Sequence, residues 1–319
     1  MNESYDVVVV GGGAAGLSGA VALARSRRSV LVIDAGEPRN RAADQVHNFL
    51  TRDGTRPAEL YAAGRAEVAR YGGHIHPGKA ASLSRDGELF RAEISGRSVT
   101  ARRLLIATGL RDELPDVPGL AERWGIDVLH CPYCHGWEVR DKRVAILATG
   151  PTAVHQALLF RQLTDHVIVL RHTARPFASE QADQLRALGI PIVHGRVAEV
   201  EAQAGRLAGV RLADGRRVES DALIVAPRFV ANADLVVPLG ITPVEVTVDG
   251  QVIATRITAE AGGATSVPGI YVAGNLADPQ AQVITSAAAG LMAGAAINMD
   301  LIAEDARHAV TAASTGKSG

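Results

Sequence analysis

Cysteine is nearly missing from this 319-residue chain, which carries two. That excludes a small scaffold stapled by several disulfides, and it falls short of the roughly four ligands that a structural zinc site takes. His130 and His135 flank the cysteines, but neighbours this close in sequence cannot easily all face one tetrahedral ion, so no metal is expected. Aromatic residues are scarce at 4%, and neither charge sign is in excess, the formal charge being −1. No global field favours nucleic acid or an anionic membrane, and a small or neutral partner is expected instead. The polar start Met1-Asn2-Glu3-Ser4-Tyr5-Asp6 runs straight into a strand, and no apolar stretch reads as membrane-spanning without interruption. The expected setting is the cytoplasm, away from a membrane.

What the chain does contain is alanine, glycine and enough length for about two domains. Tyr5-Asp6-Val7-Val8-Val9-Val10 reads as a buried parallel strand, too continuously apolar to be half exposed. A glycine turn follows it. Leu17 to Ser26 has helical spacing, and Ser29 to Asp34 is a second strand ending in an acid, so residues 5–34 form one βαβ unit. A similar unit recurs from Arg143 to Arg171, with Gly150 aligned on Gly13, Ala153 on Gly16, and Val167 to Leu170 on Val30 to Ile33. The fold class is therefore α/β with two Rossmann-like nucleotide-binding domains. Leu104 to Gly109 reads as a strand closing the first, Asp221 to Ala226 as its counterpart in the second, and Pro268 to Asn275 as a further strand and turn. Gln282 to Met299 has the pattern of a long small-residue helix, and Thr311 to Gly319 reads as a frayed tail.

The first loop, Gly11-Gly12-Gly13-Ala14-Ala15-Gly16, has a job for each part. Gly11 permits the tight turn, Gly13 lets the backbone approach a pyrophosphate, and Gly16 allows close helix–strand packing. Asp34, followed by Ala35, can accept hydrogen bonds from an adenosine ribose. The second loop differs at each decisive place. Ala148 stands for Gly11, Arg171 stands for Asp34, and Pro151 has no N–H to offer a phosphate. Arg171 is of the type that serves the 2′-phosphate of NADP, yet the loop as a whole argues against productive nicotinamide binding.

Cys131-Pro132-Tyr133-Cys134 spaces the two thiols for redox work. A two-residue gap lets both sulfurs sit at a helix start, where amide dipoles lower a thiolate's pKa and disulfide closure needs little backbone motion. A dithiol beside a flavin-type fingerprint implies dithiol–disulfide chemistry at a flavin.

Taken in order, the flavin loop, Ala107-Thr108-Gly109, CPYC with His135-Gly136, the second βαβ, Gly269 to Asn275 and Gln282 to Ala287 resemble the low-molecular-weight thioredoxin reductase family over essentially the whole chain. The resemblance implies the pyridine nucleotide-disulfide oxidoreductase fold, with FAD along a domain made of residues 1–112 and 230–319. A second domain, residues 113–229, would carry the dithiol, and the molecule would be a homodimer. It implies that Cys134 lies next to the flavin and Cys131 meets the substrate. Asn48, Gly274, Asn275, Gln282 and Val283 would contact the cofactor. Family members typically have an acid after the second cysteine; His135 replaces it here. The string His130 to Gly136 is similar to dithiol oxidases of dithiolopyrrolone, gliotoxin-like and depsipeptide biosynthesis, which close a disulfide in a small molecule and use O2 in place of a nicotinamide.

The function that this implies is oxidation of a small-molecule dithiol to a cyclic disulfide with release of hydrogen peroxide. An imidazole can take and return a proton near neutral pH, which nominates His135 first and His130 second as the base. Two alternatives stay open: a disulfide reductase driven by NADPH or ferredoxin, and a flavin-loaded redox sensor without turnover.

Overall fold

The computed structural model describes residues 3–315; Met1, Asn2 and residues 316–319 of the expected frayed tail lie outside them. Val7, Val8 and Val9 are fully buried in β1 (Ser4–Val10), each side chain contributing about 1.5–3 kcal/mol by burial. β1 runs parallel to β2 (Val30–Asp34), which runs parallel to β3 (His74–Pro77). α1 (Ala14–Arg25) crosses between β1 and β2 and packs with α2 (Pro57–Arg70) on one face. β4 (Ala80–Asp86) and β5 (Leu89–Ile94) form an antiparallel meander into β6 (Arg97–Ile106), whose later residues return to pair parallel with β1. β7 (Leu110–Glu113) then leads out of this sheet.

A second parallel sheet follows. β8 (Val128–Leu129), β9 (Val144–Ala148), β10 (Val167–Arg171) and β11 (Ile192–His194) join in the order β11-β10-β9 with β15 (Ala222–Val225) between β9 and β8. α3 (Pro132–His135) is a single turn after β8; α4 (Ala153–Arg161) and α5 (Ser179–Ala187) cover one face. β12 (Val197–Gln203), β13 (Arg206–Leu212) and β14 (Arg217–Glu219) form an antiparallel sheet whose apolar residues pack under the other face. The chain comes back through β16 (Arg228–Ala231), antiparallel to β7. After the β17 (Val244–Val248) and β18 (Gln251–Arg256) hairpin, β19 (Ile270–Val272) completes the first sheet beside β6.

α6 (Val283–Thr315) runs well past the expected end at Met299, and Thr311 to Thr315, read as tail, are helical. By length and average composition alone α6 is apolar enough to cross a membrane, although Thr285, Ser286, Asn298 and Asp300 interrupt its apolar run, as the sequence reading expected. The composition has a packing explanation. Gly290 and Gly294 let α6 close on α1, since a Cβ at Gly290 would stand 1.9 Å from the Ala15 carbonyl oxygen. Beyond them Arg103 pairs with Asp300 at 2.6 Å and with Glu304, and Arg102 reaches Asp6 at 2.9 Å, tying the helix to β6 and β1.

Candidate active site

The first glycine loop follows β1 and ends where α1 begins. Gly11 has φ +111°, and a Cβ there would stand 2.3 Å from the Ala107 carbonyl oxygen, so only glycine makes this turn. Gly16 packs under the loop, its missing Cβ 1.8 Å from the Gly11 oxygen. Gly13 is different: nothing lies within 4 Å of the place a Cβ would occupy. It caps α1 without a side-chain partner, leaving amide donors directed at free space. That space is a cavity of about 2120 Å³ lined by Gly11, Gly13, Ala14, Ala15, Asp34, Ala35, Ala107, Thr108, Gly109, Gly274, Asn275, Gln282 and Val283. Asp34 also pairs with Arg65 of α2 at 3.2 Å.

The same cavity reaches His130, Cys131, Cys134 and His135, so nearly all the residues nominated from the sequence share one space. Two do not line it. Gly16 serves packing, as above. Asn48, expected at the cofactor, instead donates its side-chain amide to the Tyr133 carbonyl at 2.6 Å, with Asn48 itself at φ +57°. Its short side chain thus fastens the 46–55 segment to the CxxC turn. Asn275 lines the cavity, but its amide donates to the Ala281 carbonyl at 2.8 Å and to that of Asp278 at 3.1 Å, shaping the approach to α6.

Cys131 caps α3 and Cys134 is on its single turn, with the sulfurs 2.7 Å apart as free thiols. The hydrogen bond from the Cys134 thiol, joined by the backbone N–H groups of Cys134 and Tyr133 and the Arg39 guanidinium, brings Cys131 down to about 7. Cys134 is pushed up, because it donates to Cys131, is buried, and faces the charge Cys131 develops. The pair therefore shares one proton, with the negative charge at Cys131.

His130 Nδ1 lies 2.9 Å from the Val225 carbonyl, and the ring stands edge-on to Phe229. Donation to that carbonyl places the proton on Nδ1, and burial holds His130 below its ordinary value. His135 is also held low by burial. Both its ring nitrogens are buried and have no hydrogen-bond partner, so its ring does not hydrogen-bond a sulfur in this arrangement.

The second loop lines the same cavity through Gly150, Pro151, His172 and Arg196, and there Gln251 of β18 stands close to Gly150 where nothing stands close to Gly13. A Cβ on Gly150 would meet its Nε2 at 2.9 Å and its Oε1 at 3.0 Å. His172 is committed as well, accepting the Val197 N–H at 2.8 Å through Nδ1.

Residues 5–294 match the family model for pyridine nucleotide-disulphide oxidoreductases. The chain belongs to that family. It is 31% identical to thioredoxin reductase sirT of Leptosphaeria maculans, over 94% of this chain and 95% of that one. It is likewise 31% identical to thioredoxin reductase tcpT of Claviceps purpurea, with the same coverage. The solved structure of HlmI superposes with a TM-score of 0.90 at 41% identity, covering 98% of both chains. The protein is thus a thioredoxin reductase-like flavoenzyme with a redox-spaced cysteine pair.

Members of this oxidoreductase family typically bind FAD. The cradle over Gly13, the uncapped start of α1 and the Asp34 carboxylate suit the pyrophosphate and ribose of such a group. Sequence reading missed the cluster that steadies the redox end. Arg39 pairs with Asp112 at 2.6 Å and lies 4.8 Å over the Phe229 ring, and Asn232 exchanges hydrogen bonds with Thr108 at 2.7 and 3.0 Å. These partners come from segments far apart in the chain, and no local motif marks them.

Proposed function

We propose that this protein is an FAD-dependent dithiol oxidase that closes an intramolecular disulfide in a small-molecule dithiol, with O2 as electron acceptor and hydrogen peroxide as product. The observation that carries this reading is a contrast between two sides of one cavity: nothing lies within 4 Å of where a Cβ on Gly13 would be, whereas beside Gly150 the Gln251 side chain stands at about 3 Å and Pro151 withholds a donor. NADPH is not a productive ligand in this account.

The substrate's first thiolate attacks Cys131 of the enzyme disulfide, forming a mixed disulfide as the Cys131–Cys134 bond breaks and Cys134 departs with the electron pair. The second substrate thiolate then attacks the substrate sulfur, closing the product disulfide and expelling Cys131. The lowering of Cys131 by the Cys134 thiol hydrogen bond, together with the backbone N–H groups of Cys134 and Tyr133 and the Arg39 charge, favours its departure. Of the two protons the substrate thiols give up, one goes to solvent and one to Cys134, the raised member of the pair; its later transfer is assigned to His135, a ring that burial keeps neutral and that must turn toward the sulfur to accept it. Bound FAD supplies the acceptor for the dithiol's two electrons and their passage to O2. In sum, one dithiol and one O2 give one disulfide and one hydrogen peroxide.

The test is oxygen uptake and peroxide release by the FAD-loaded protein with dithiothreitol in air. The expected result is one peroxide per dithiol consumed, lost in Cys131→Ser and in Cys134→Ser while FAD stays bound. Turnover that survives either substitution contradicts the assignment. The relatives named thioredoxin reductase favour a second reading, reduction of a disulfide by NADPH. The chain is also proposed to pair with a second copy through α6, whose Leu291, Met292, Met299 and Ile302 are exposed; light scattering reads the mass.

A further inference from the structure

A second, smaller cavity of about 140 Å³ adjoins the redox turn. His135 lines it together with Asp44, His47, Glu138 and Lys142. At roughly 30 Å³ of liquid volume each, about five waters fill such a space. The two nitrogens of His135 are buried and unpartnered, whereas buried polar atoms ordinarily find a partner, and this polar cavity is the space that adjoins the residue. On its lining, His47 Nε2 stands 3.5 Å from Glu138 Oε1 and His47 Nδ1 stands 3.3 Å from Asp53 Oδ2. Asp53 is two-thirds exposed, with 66% of its side-chain surface free, so this line of groups ends in solvent.

We propose that His47 and Glu138, with water in this cavity, relay protons between the buried ring of His135 and solvent. The inference rests on the reading of His135 as the base for the cysteine pair. A buried ring is closed off from bulk solvent, so a small turn of His135 toward the cavity is what brings a nitrogen to water, and the ring must be neutral again before the next cycle. The proton taken from Cys134 passes from His135 through water to His47 or the Glu138 carboxylate, then to Asp53 or bulk water. The same route runs backwards when peroxide formation consumes protons.

The charges around the ring fit that traffic. Glu138 on the 137–139 turn and Asp44 on the preceding loop favour the protonated ring; burial and His47 oppose it. Of the other charged groups on the cavity, Asp127 is engaged by Arg123 and Asp221 by Arg143, leaving Lys142 as the facing cation. His47 and Glu138 act through His135, so they are positioning residues. The 46–55 segment that carries His47 is fastened to the redox turn by the Asn48–Tyr133 hydrogen bond.

The test uses the full-length FAD-loaded protein, dithiothreitol as probe, and the variants His47→Asn and Glu138→Gln. Each is expected to slow turnover roughly tenfold, less than loss of a direct acid–base group, with added imidazole restoring most of it. Proton NMR titration of His135 gives a readout apart from turnover: Glu138→Gln is expected to move its midpoint to lower pH. Unchanged turnover and an unchanged His135 midpoint overturn the proposal, as does slowing that imidazole does not relieve. If the unaltered protein fails to oxidise the dithiol, the oxidase reading fails, and the His135 midpoint still decides whether Glu138 couples to the ring.

Discussion

The two glycine loops of this molecule share a strand, a turn and a helix, yet their side chains leave different spaces above them. Both loops line the cavity that holds the redox pair, but nothing lies within 4 Å of a Cβ position on Gly13, while the Gln251 side chain stands within about 3 Å of that on Gly150. Gly11 makes its turn with a positive φ that admits no side chain, while its counterpart Ala148 is an ordinary buried strand residue. Fold and ligand rest on different residues: the βαβ unit is held by its apolar core, whereas a bound nucleotide depends on a few positions where side chains must be absent.

The sharpest way to break this contrast is to exchange its equivalent positions. Gly11→Ala is expected to cost more than about 3 kcal/mol, combining a positive φ with a backbone clash, and to prevent FAD loading. Ala148→Gly in the second loop costs about 1 kcal/mol and spares the flavin. Chemical denaturation and flavin content measure both. A less drastic pair is Gly13→Ala against Gly150→Ala. The first adds a methyl to an empty cradle, so apo-protein stability stays the same while FAD binding weakens roughly tenfold, about 1.4 kcal/mol. The second displaces only the end of Gln251 and leaves FAD affinity unaltered, as flavin fluorescence titration would show.

Acid should separate the domains as well. His130, His135 and His172 are held below the ordinary histidine value, largely by burial, so each folded site prefers the neutral ring. Their contribution is complete above about pH 6.5 and is lost as pH falls below it. In the first domain Asp6, Asp300 and Glu304 are held low by their arginine partners and, for Asp6, by Ser29; their contribution is complete above about pH 4 and lost as pH falls further. Hydrogen exchange at pH 7.5 and 5.5 is therefore expected to show the second domain loosening first. Equal loosening, or loosening of the first domain first, contradicts this. The smallest effect expected is from Asn48→Ala, which removes one hydrogen bond worth about 1 kcal/mol and slows the dithiol reaction a few-fold without changing flavin content.

The parts of the fold written in contiguous residues were legible. The valine run of β1, the glycine turn, Asp34 and the CxxC spacing each express a local physical need, and the structure places them around one cavity. The antiparallel strands β4, β5 and β12 to β14 were not recognised, because partly exposed strands lack the continuous apolar signature of β1 and β9. Arg39, Asp112 and Phe229 meet across three distant segments, and Gln251 lies 101 positions beyond Gly150, so no spacing rule could join them. Asn48 was found in the right neighbourhood with the wrong partner, since sequence does not tell which way an amide points. The end of α6 was misjudged because alanine-rich helix and alanine-rich tail have the same composition until the Arg102 and Arg103 ion pairs are seen.

Whether electrons enter through the cysteine pair or through the second loop is decided without oxygen. Dithiothreitol or NADPH is added separately to the FAD-loaded protein, and the visible flavin absorbance is followed. The account expects bleaching by the dithiol alone, reversed by air with release of hydrogen peroxide. Rapid bleaching by NADPH would contradict it and would mean that Gln251 and Pro151 do not bar the second loop.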